Sequence, residues 1–336
     1  MAFERAGPAL AVTVRLLDID PSTYRPHLLH APGRDWTESN CWTDMMIEVL
    51  HALGLEPLAA SAFTLSSDFE GDQWTLFKFP PEDLRILFGL EVAELYVWRP
   101  VIDHVEENLA LGHLVTVEVD AYYLPDTAGV TYRSDHVKTG VVPQMLDRPG
   151  RRLGYFHNAG YFELGDEDFD GIFRLDTEPD ASVLLPYMEV VKLERLRPGT
   201  APLDAVIALT RDHLERRPST NPIPRFKKRL ESDLPWLAQA GEAAFHLYSF
   251  GTCRQLGANA AMAGSFVEWL GLRLGGGLDL DAAAVHFQAL SESAKGLEFA
   301  LARVARGRSV DLEGPFAAME ASWGAAMDVL VERLAD

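Results

Sequence analysis

The chain has 336 residues, 48% of them hydrophobic, enough to bury the core of one large or two ordinary domains, which excludes disorder as its dominant state. Lys and Arg number 30 against 50 Asp and Glu, and the formal charge of −20 opposes nucleic acid and anionic membranes as partners. Two cysteines, Cys41 and Cys253, are too few for a disulfide framework and fit a reducing compartment. With no signal-peptide pattern at the start and no apolar run of membrane-spanning length, the expected location is the cytoplasm.

In chain order, the apolar run after Glu4 and Arg5 predicts a first strand from Leu10 to Asp18. The segment ESNCWTDMMIEVLHALG follows, with Trp42, Met45, Met46, Val49, Leu50 and Leu53 forming one stripe at helical spacing and Gly54 as the stop. Ser39 or Asn40 serves as N-cap, which sets Cys41 in the first turn, where free N–H groups and the helix dipole stabilise a thiolate. A second helix is expected around Pro81 to Phe88. Further strands are expected at Leu114 to Tyr123, His136 to Val142, Leu153 to Phe156 and Tyr187 to Leu193. In the first of these, Val115, Val117 and Val119 alternate with Thr116, Glu118 and Asp120, the pattern of a sheet with one buried face.

The composition changes near residue 196, so the expected domains are 1–196, an α+β fold, and 197–336, an all-helical bundle. The stiff PSTNPIP segment, Pro218 to Pro224, precedes four expected helices. These run from Arg225 to Gln239, Glu242 to Leu274, Asp281 to Arg306 and Gly314 to Leu334.

A nucleophilic thiol needs a base, and the base an orienter. His136 opens a β-type run, and the following candidate strand, LGYFHNAGYFEL, carries Asn158, so neighbouring strands can bring the two together. Asp120, on the adjacent strand, is a rival orienter, while His157 belongs to the opposite strand face. No metal site is expected: Asp103, His104, Glu107 and His113 in DHVEENLALGH lack the HExxH spacing and read as a polar helix face. Neither a phosphate-binding GxxxxGK[ST] loop nor a GxSxG elbow occurs, and Cys253 reads as packing within a helix.

With a cysteine opening the central helix and His and Asn following in that order, the chain resembles the papain-like cysteine peptidase fold, a helix packed on an antiparallel sheet. More narrowly, NCWTDMMIEVLHALG, GHLVTVEVDAYYLPD, HVKTGVV, GYFHNAGYFEL and FHLYSFGTCRQLGANAAMAGSFVEWL resemble a bacterial family known as domain of unknown function 1839. The arrangement is also similar to papain-like acyltransferases of butirosin biosynthesis. The resemblance implies transfer of an acyl, specifically aminoacyl, group from a carrier-protein thioester to a small amine. Cys41 would then be nucleophile, His136 base and Asn158 orienter. PGRDWTESN lacks the oxyanion-hole glutamine of papain-like peptidases, which leaves Asn40 or Thr37 for that role. No bound cofactor is expected beyond the phosphopantetheine arm of the carrier. Two basic clusters are candidates to meet that partner: Arg148, Arg151 and Arg152, and the RFKKR residues Arg225, Lys227, Lys228 and Arg229. A papain-like hydrolase or peptidase, and a non-catalytic binding scaffold with the same fold, are the alternatives.

Overall fold

In the computed structural model, the described residues are 13–36, 38–175, 184–276 and 279–334. They form two compact units. The first holds the described residues within Met1–Pro32, Asn40–Leu55 and Pro81–Thr200; the second holds those within Gly33–Ser39, Glu56–Pro80 and Ala201–Asp336. The division expected at 196 therefore comes at 200, and two segments from the first half of the chain fold with the helical half.

In the first unit, β1 (Val14–Arg15) is followed by α1 (Cys41–Ala52), α2 (Pro81–Phe88), β2 (Glu91–Leu95) and α3 (Val101–Ala110). Then come β3 (Leu114–Asp120), β4 (Lys138–Asp147), β5 (Arg152–His157), β6 (Gly160–Gly165), α4 (Asp166–Phe173) and β7 (Met188–Lys192). The strands make one antiparallel sheet in the order β2-β7-β3-β4-β5-β6, with β1 paired to the later half of β4. The fold is thus α+β with an antiparallel sheet, as the alternating strands imply. Residues Leu10 to Val12 of the expected first strand lie outside the described residues.

The LGYFHNAGYFEL run proves to be a hairpin rather than one strand. His157 pairs with Gly160, so Asn158 and Ala159 form a two-residue connection, and Asn158 takes φ 42°, a left-handed conformation that asparagine tolerates better than most residues. α1 packs against β4, β5 and β6. Every residue from Trp42 to Leu50 is buried, including Asp44 and Glu48. These two carboxylates are served by His30, whose Nδ1 meets Glu48 and whose Nε2 lies 3.5 Å from Asp44. Glu48 also accepts from the Tyr24 hydroxyl at 2.6 Å and the His27 N–H at 3.1 Å. Burial alone would lower the His30 pKa, but its hydrogen bonding to the Asp44 and Glu48 carboxylates and their negative charge outweigh it and raise the value to about 9.

The second unit contains α5 (Leu203–Glu215), α6 (Ile223–Ser249), a π-helical turn at Phe250–Arg254, α7 (Gln255–Arg273), α8 (Asp281–Val304) and α9 (Glu313–Leu334). α5 was not among the expected helices, although its buried Val206, Leu209, Thr210, His213 and Leu214 keep helical spacing. The break expected between Gln239 and Glu242 is present as Gly241, at φ 83° inside α6. Trp36 is built into this unit. Its Nε1 donates to Ser291 Oγ at 2.9 Å, Lys295 Nζ lies 4.1 Å from its ring, and Gly257 leaves the space its ring occupies.

Candidate functional site

Asn40 is extended, at φ −149° and ψ 152°, and its Oδ1 accepts from the Thr43 N–H at 3.0 Å, so it caps α1. That oxygen is committed to the cap, which is the physical cost of giving Asn40 an oxyanion role. Thr37, the other candidate, lies outside the described residues. Cys41 is half-buried at the first helical position, where the helix dipole favours negative charge. The next residue fixes its position: Trp42 Nε1 donates to Glu189 Oε2 at 2.5 Å, and that buried carboxylate also accepts from Thr116 Oγ1 at 3.1 Å and the Tyr187 hydroxyl at 2.9 Å.

The sheet beneath carries Gly140. A Cβ there would stand 3.4 Å from Met45 Cε and 3.8 Å from Cys41 Sγ, ordinary contact distances that place the start of α1 over this point of β4. In the β3–β4 register Glu118 is opposite Gly140 and Asp120 opposite Lys138. Directly opposed and i+2 residues share a face, which puts Glu118, Asp120 and Lys138 on the side of the sheet that meets Cys41.

His136, two residues before β4, is joined to this row. Its Nδ1 lies 2.6 Å from Asp120 Oδ2, and its ring stacks on Tyr122 at 4.4 Å between centroids. The other Asp120 oxygen accepts from the Tyr122 N–H at 3.1 Å. A carboxylate at Nδ1 holds the proton there and leaves the Nε2 lone pair for a reacting group. Lys138 Nζ lies 2.5 Å from Glu118 Oε1, while Glu118 Oε2 accepts from the Tyr187 N–H at 3.0 Å. These residues open onto a groove of about 480 Å³, whose other walls are Val119, Val137, Arg174, Leu184, Leu185 and Pro186.

Asp120, not Asn158, is the residue within hydrogen-bond distance of His136. Asn158 sits in the β5–β6 turn, where its left-handed backbone serves the hairpin, and no hydrogen bond joins it to His136. Cys41 does not line the groove and is not hydrogen-bonded to His136. His157 faces away from Cys41, fully buried, with Nδ1 2.6 Å from Asp126 Oδ2 and Nε2 2.9 Å from Thr139 Oγ1.

The basic clusters are largely committed to acids of this chain. Arg148 binds Asp103 and Glu106, Arg151 binds Asp170, and Arg152 binds Glu163. In RFKKR, Arg225 pairs with Asp68, Lys227 with Glu313 and Arg229 with Asp233; Lys228 alone has no ion pair among the described residues. The expected polar face of DHVEENLALGH is instead largely buried: Asp103 and His104 are covered, and Trp98 N–H donates to His104 Nε2 at 3.3 Å. Burial lowers the His104 pKa. Glu107 binds Arg99, and His113 lies 2.6 Å from Glu194. Among the described residues no cluster of His, Cys, Asp and Glu suited to a metal ion occurs. Cys253 is fully buried in the π-helical turn, and burial pushes its thiol up to about 12, so it is packing.

Glu118, Lys138 and Arg174 were not singled out in the sequence. Glu118 and Lys138 were legible as the polar partners in the alternation of VTVEVD and HVKTG, whereas nothing local to Arg174 marks it as a groove residue.

Among the described residues no helix is long and apolar enough to cross a membrane. No curated protein matches the chain. Two family models do: that of the DUF1839 N-terminal domain matches residues 25–193, and that of the DUF1839 C-terminal domain matches 199–332. Between them they span strands β2 to β7 with the adjoining His136, the helix that begins with Cys41 and the helical region, and the chain belongs to the DUF1839 family.

Proposed function

We propose that this chain is a papain-like, cysteine-dependent acyltransferase that takes an acyl, specifically aminoacyl, group from a carrier-protein thioester and passes it to a small amine in the cytoplasm. The observation that carries the reading is the shared sheet face: Cys41 lies over Gly140, and the His136–Asp120 pair follows along the same strand pair. A helix-start thiol and a carboxylate-oriented imidazole are the two parts an acyl-transfer site needs.

In the proposed cycle the Cys41 thiolate attacks the thioester carbonyl, and the collapsing intermediate expels the carrier thiolate, which takes a proton from His136. The acceptor amine then attacks the Cys41 thioester and gives up a proton to His136 Nε2, releasing an amide and restoring the thiolate. The Cys41 backbone N–H, at the first position of α1, is the oxyanion donor. A side-chain shift that closes the Cys41–His136 distance accompanies donor binding, as catalytic hydrogen bonds commonly tighten only in the substrate complex.

The test is intact mass spectrometry after mixing the chain with an aminoacyl-pantetheine thioester. A +aminoacyl adduct on Cys41, absent in Cys41→Ala and discharged onto an added amine, is the expected result. Discharge onto water whatever amine is present identifies a hydrolase. No adduct and ordinary thiol reactivity identify a binding scaffold.

A further inference from the structure

This inference rests on the acyltransferase reading and concerns how the donor is held. Within the groove beside His136, each carboxylate is matched: Glu118 by Lys138 and the Tyr187 N–H, Asp120 by His136 and the Tyr122 N–H. Arg174 also lines the groove and is exposed, and it has no ion pair among the described residues. Unlike the arginines at 148, 151, 152, 225 and 229, each engaged with an acid, the groove guanidinium keeps its charge free of an acidic side chain among the described residues.

Its backbone adds to this. Arg174 is the C-cap of α4 at φ 53° and ψ 42°, the left-handed position that helices commonly fill with glycine, so an arginine there carries a conformational cost. The groove also carries the exposed apolar side chains Leu184, Leu185 and Val137, so beside the paired Lys138 it offers one cation without an acidic partner together with hydrocarbon surface.

We propose that this groove binds the phosphopantetheine arm of the acyl donor, Arg174 receiving its phosphate and Leu184, Leu185 and Val137 its chain. A guanidinium matches a phosphate oxygen pair in a bidentate fork. One such group suits the single phosphodiester of a protein-tethered arm rather than the several phosphates of coenzyme A.

The experiment is titration calorimetry of the full chain with 4′-phosphopantetheine, pantetheine, inorganic phosphate and coenzyme A. 4′-Phosphopantetheine is expected to bind about tenfold or more tighter than pantetheine, the effect of one charge-assisted hydrogen bond. Inorganic phosphate and coenzyme A are both expected to bind more weakly than 4′-phosphopantetheine. Arg174→Gly suits the left-handed backbone and is expected to fold as well as the parent, yet to lose the preference for the phosphorylated arm. Equal binding of the two pantetheines, an unchanged preference in Arg174→Gly, or inorganic phosphate or coenzyme A binding as tightly as 4′-phosphopantetheine would each overturn the assignment. Because binding is read without turnover, its failure is separate from failure to form the Cys41 adduct.

Discussion

Replacing His30 by glutamine tests how the helix that carries Cys41 is held. In the parent, the imidazole is enclosed with two carboxylates, Asp44 and Glu48, and its pKa is raised to about 9 from 6.5. A rise of that size corresponds to about 3 kcal/mol of coupling between protonation and folding, at about 1.4 kcal/mol per unit. The sign follows from the direction of the shift. The contribution is fully present below pH 6.5, where the unfolded chain also holds the proton, and is lost as pH rises through about 9. Glu48, held below its ordinary 4.5 with burial opposing and His30 and Tyr24 prevailing, adds stability above that value that is lost on acidification. Urea unfolding at intervals from pH 5 to 10 should therefore show a plateau near pH 5 to 6.5 and a decline of about 3 kcal/mol by pH 9.5 in the parent. His30→Gln should be about 3–5 kcal/mol less stable on the plateau, because two buried carboxylates lose their cation, and should lack the alkaline decline. A parent-minus-variant difference that stays constant from pH 6 to 9.5 would refute the reasoning.

Three further outcomes follow from the geometry. Asp120→Asn should keep the fold but lower the rate of Cys41 aminoacylation by two orders of magnitude or more, on the order of the loss seen when an imidazole loses its orienting carboxylate; an unchanged rate removes Asp120 from the site. Asn158→Gly should leave that rate and the melting temperature almost unchanged, since glycine accepts φ 42° freely, and a large rate loss would restore Asn158 as a candidate orienter. Gly257→Ala should destabilise the second unit by about 1–3 kcal/mol, because the new Cβ would fall 2.2 Å from the Trp36 ring, and an unshifted thermal transition would contradict that packing.

Local chemistry made the helix of Cys41 legible, since its cap, its apolar stripe and its glycine stop lie within one short segment. α2 was legible for the same reason, Pro81 at its start and an amphipathic pattern to Phe88. The turn at Asn158 was not legible because the apolar residues run on through YFHNAGYF, and the reversal is marked only by an Asn-Ala pair, weaker than Asn-Gly as a hairpin signal. Asp120 meets His136 through a 2.6 Å bond that spans 16 residues across the β3–β4 connection, a pairing set by strand register. The arginine clusters misled for a related reason. Arg148 meets Asp103 and Glu106 more than forty positions away, and Arg225 meets Asp68 at a separation of 157, so no window of sequence reveals that their charge is already matched.

The way the chain alternates between its units constrains how it can be made and cut. Segments 33–39 and 56–80 belong to the unit completed only by residues from 201 onward, so a growing chain must synthesise 81–200 before Trp36 can meet Gly257, Ser291 and Lys295. Pairings this distant in sequence make closure slow relative to the local helices, and the early segments stay exposed in the meantime. A cut at the family boundary near residue 196 would give a helical fragment missing part of its own core. It would leave the other fragment with α1 strung between two stretches that have lost the surfaces they pack on, so the two halves are better treated as one inseparable folding problem than as interchangeable modules.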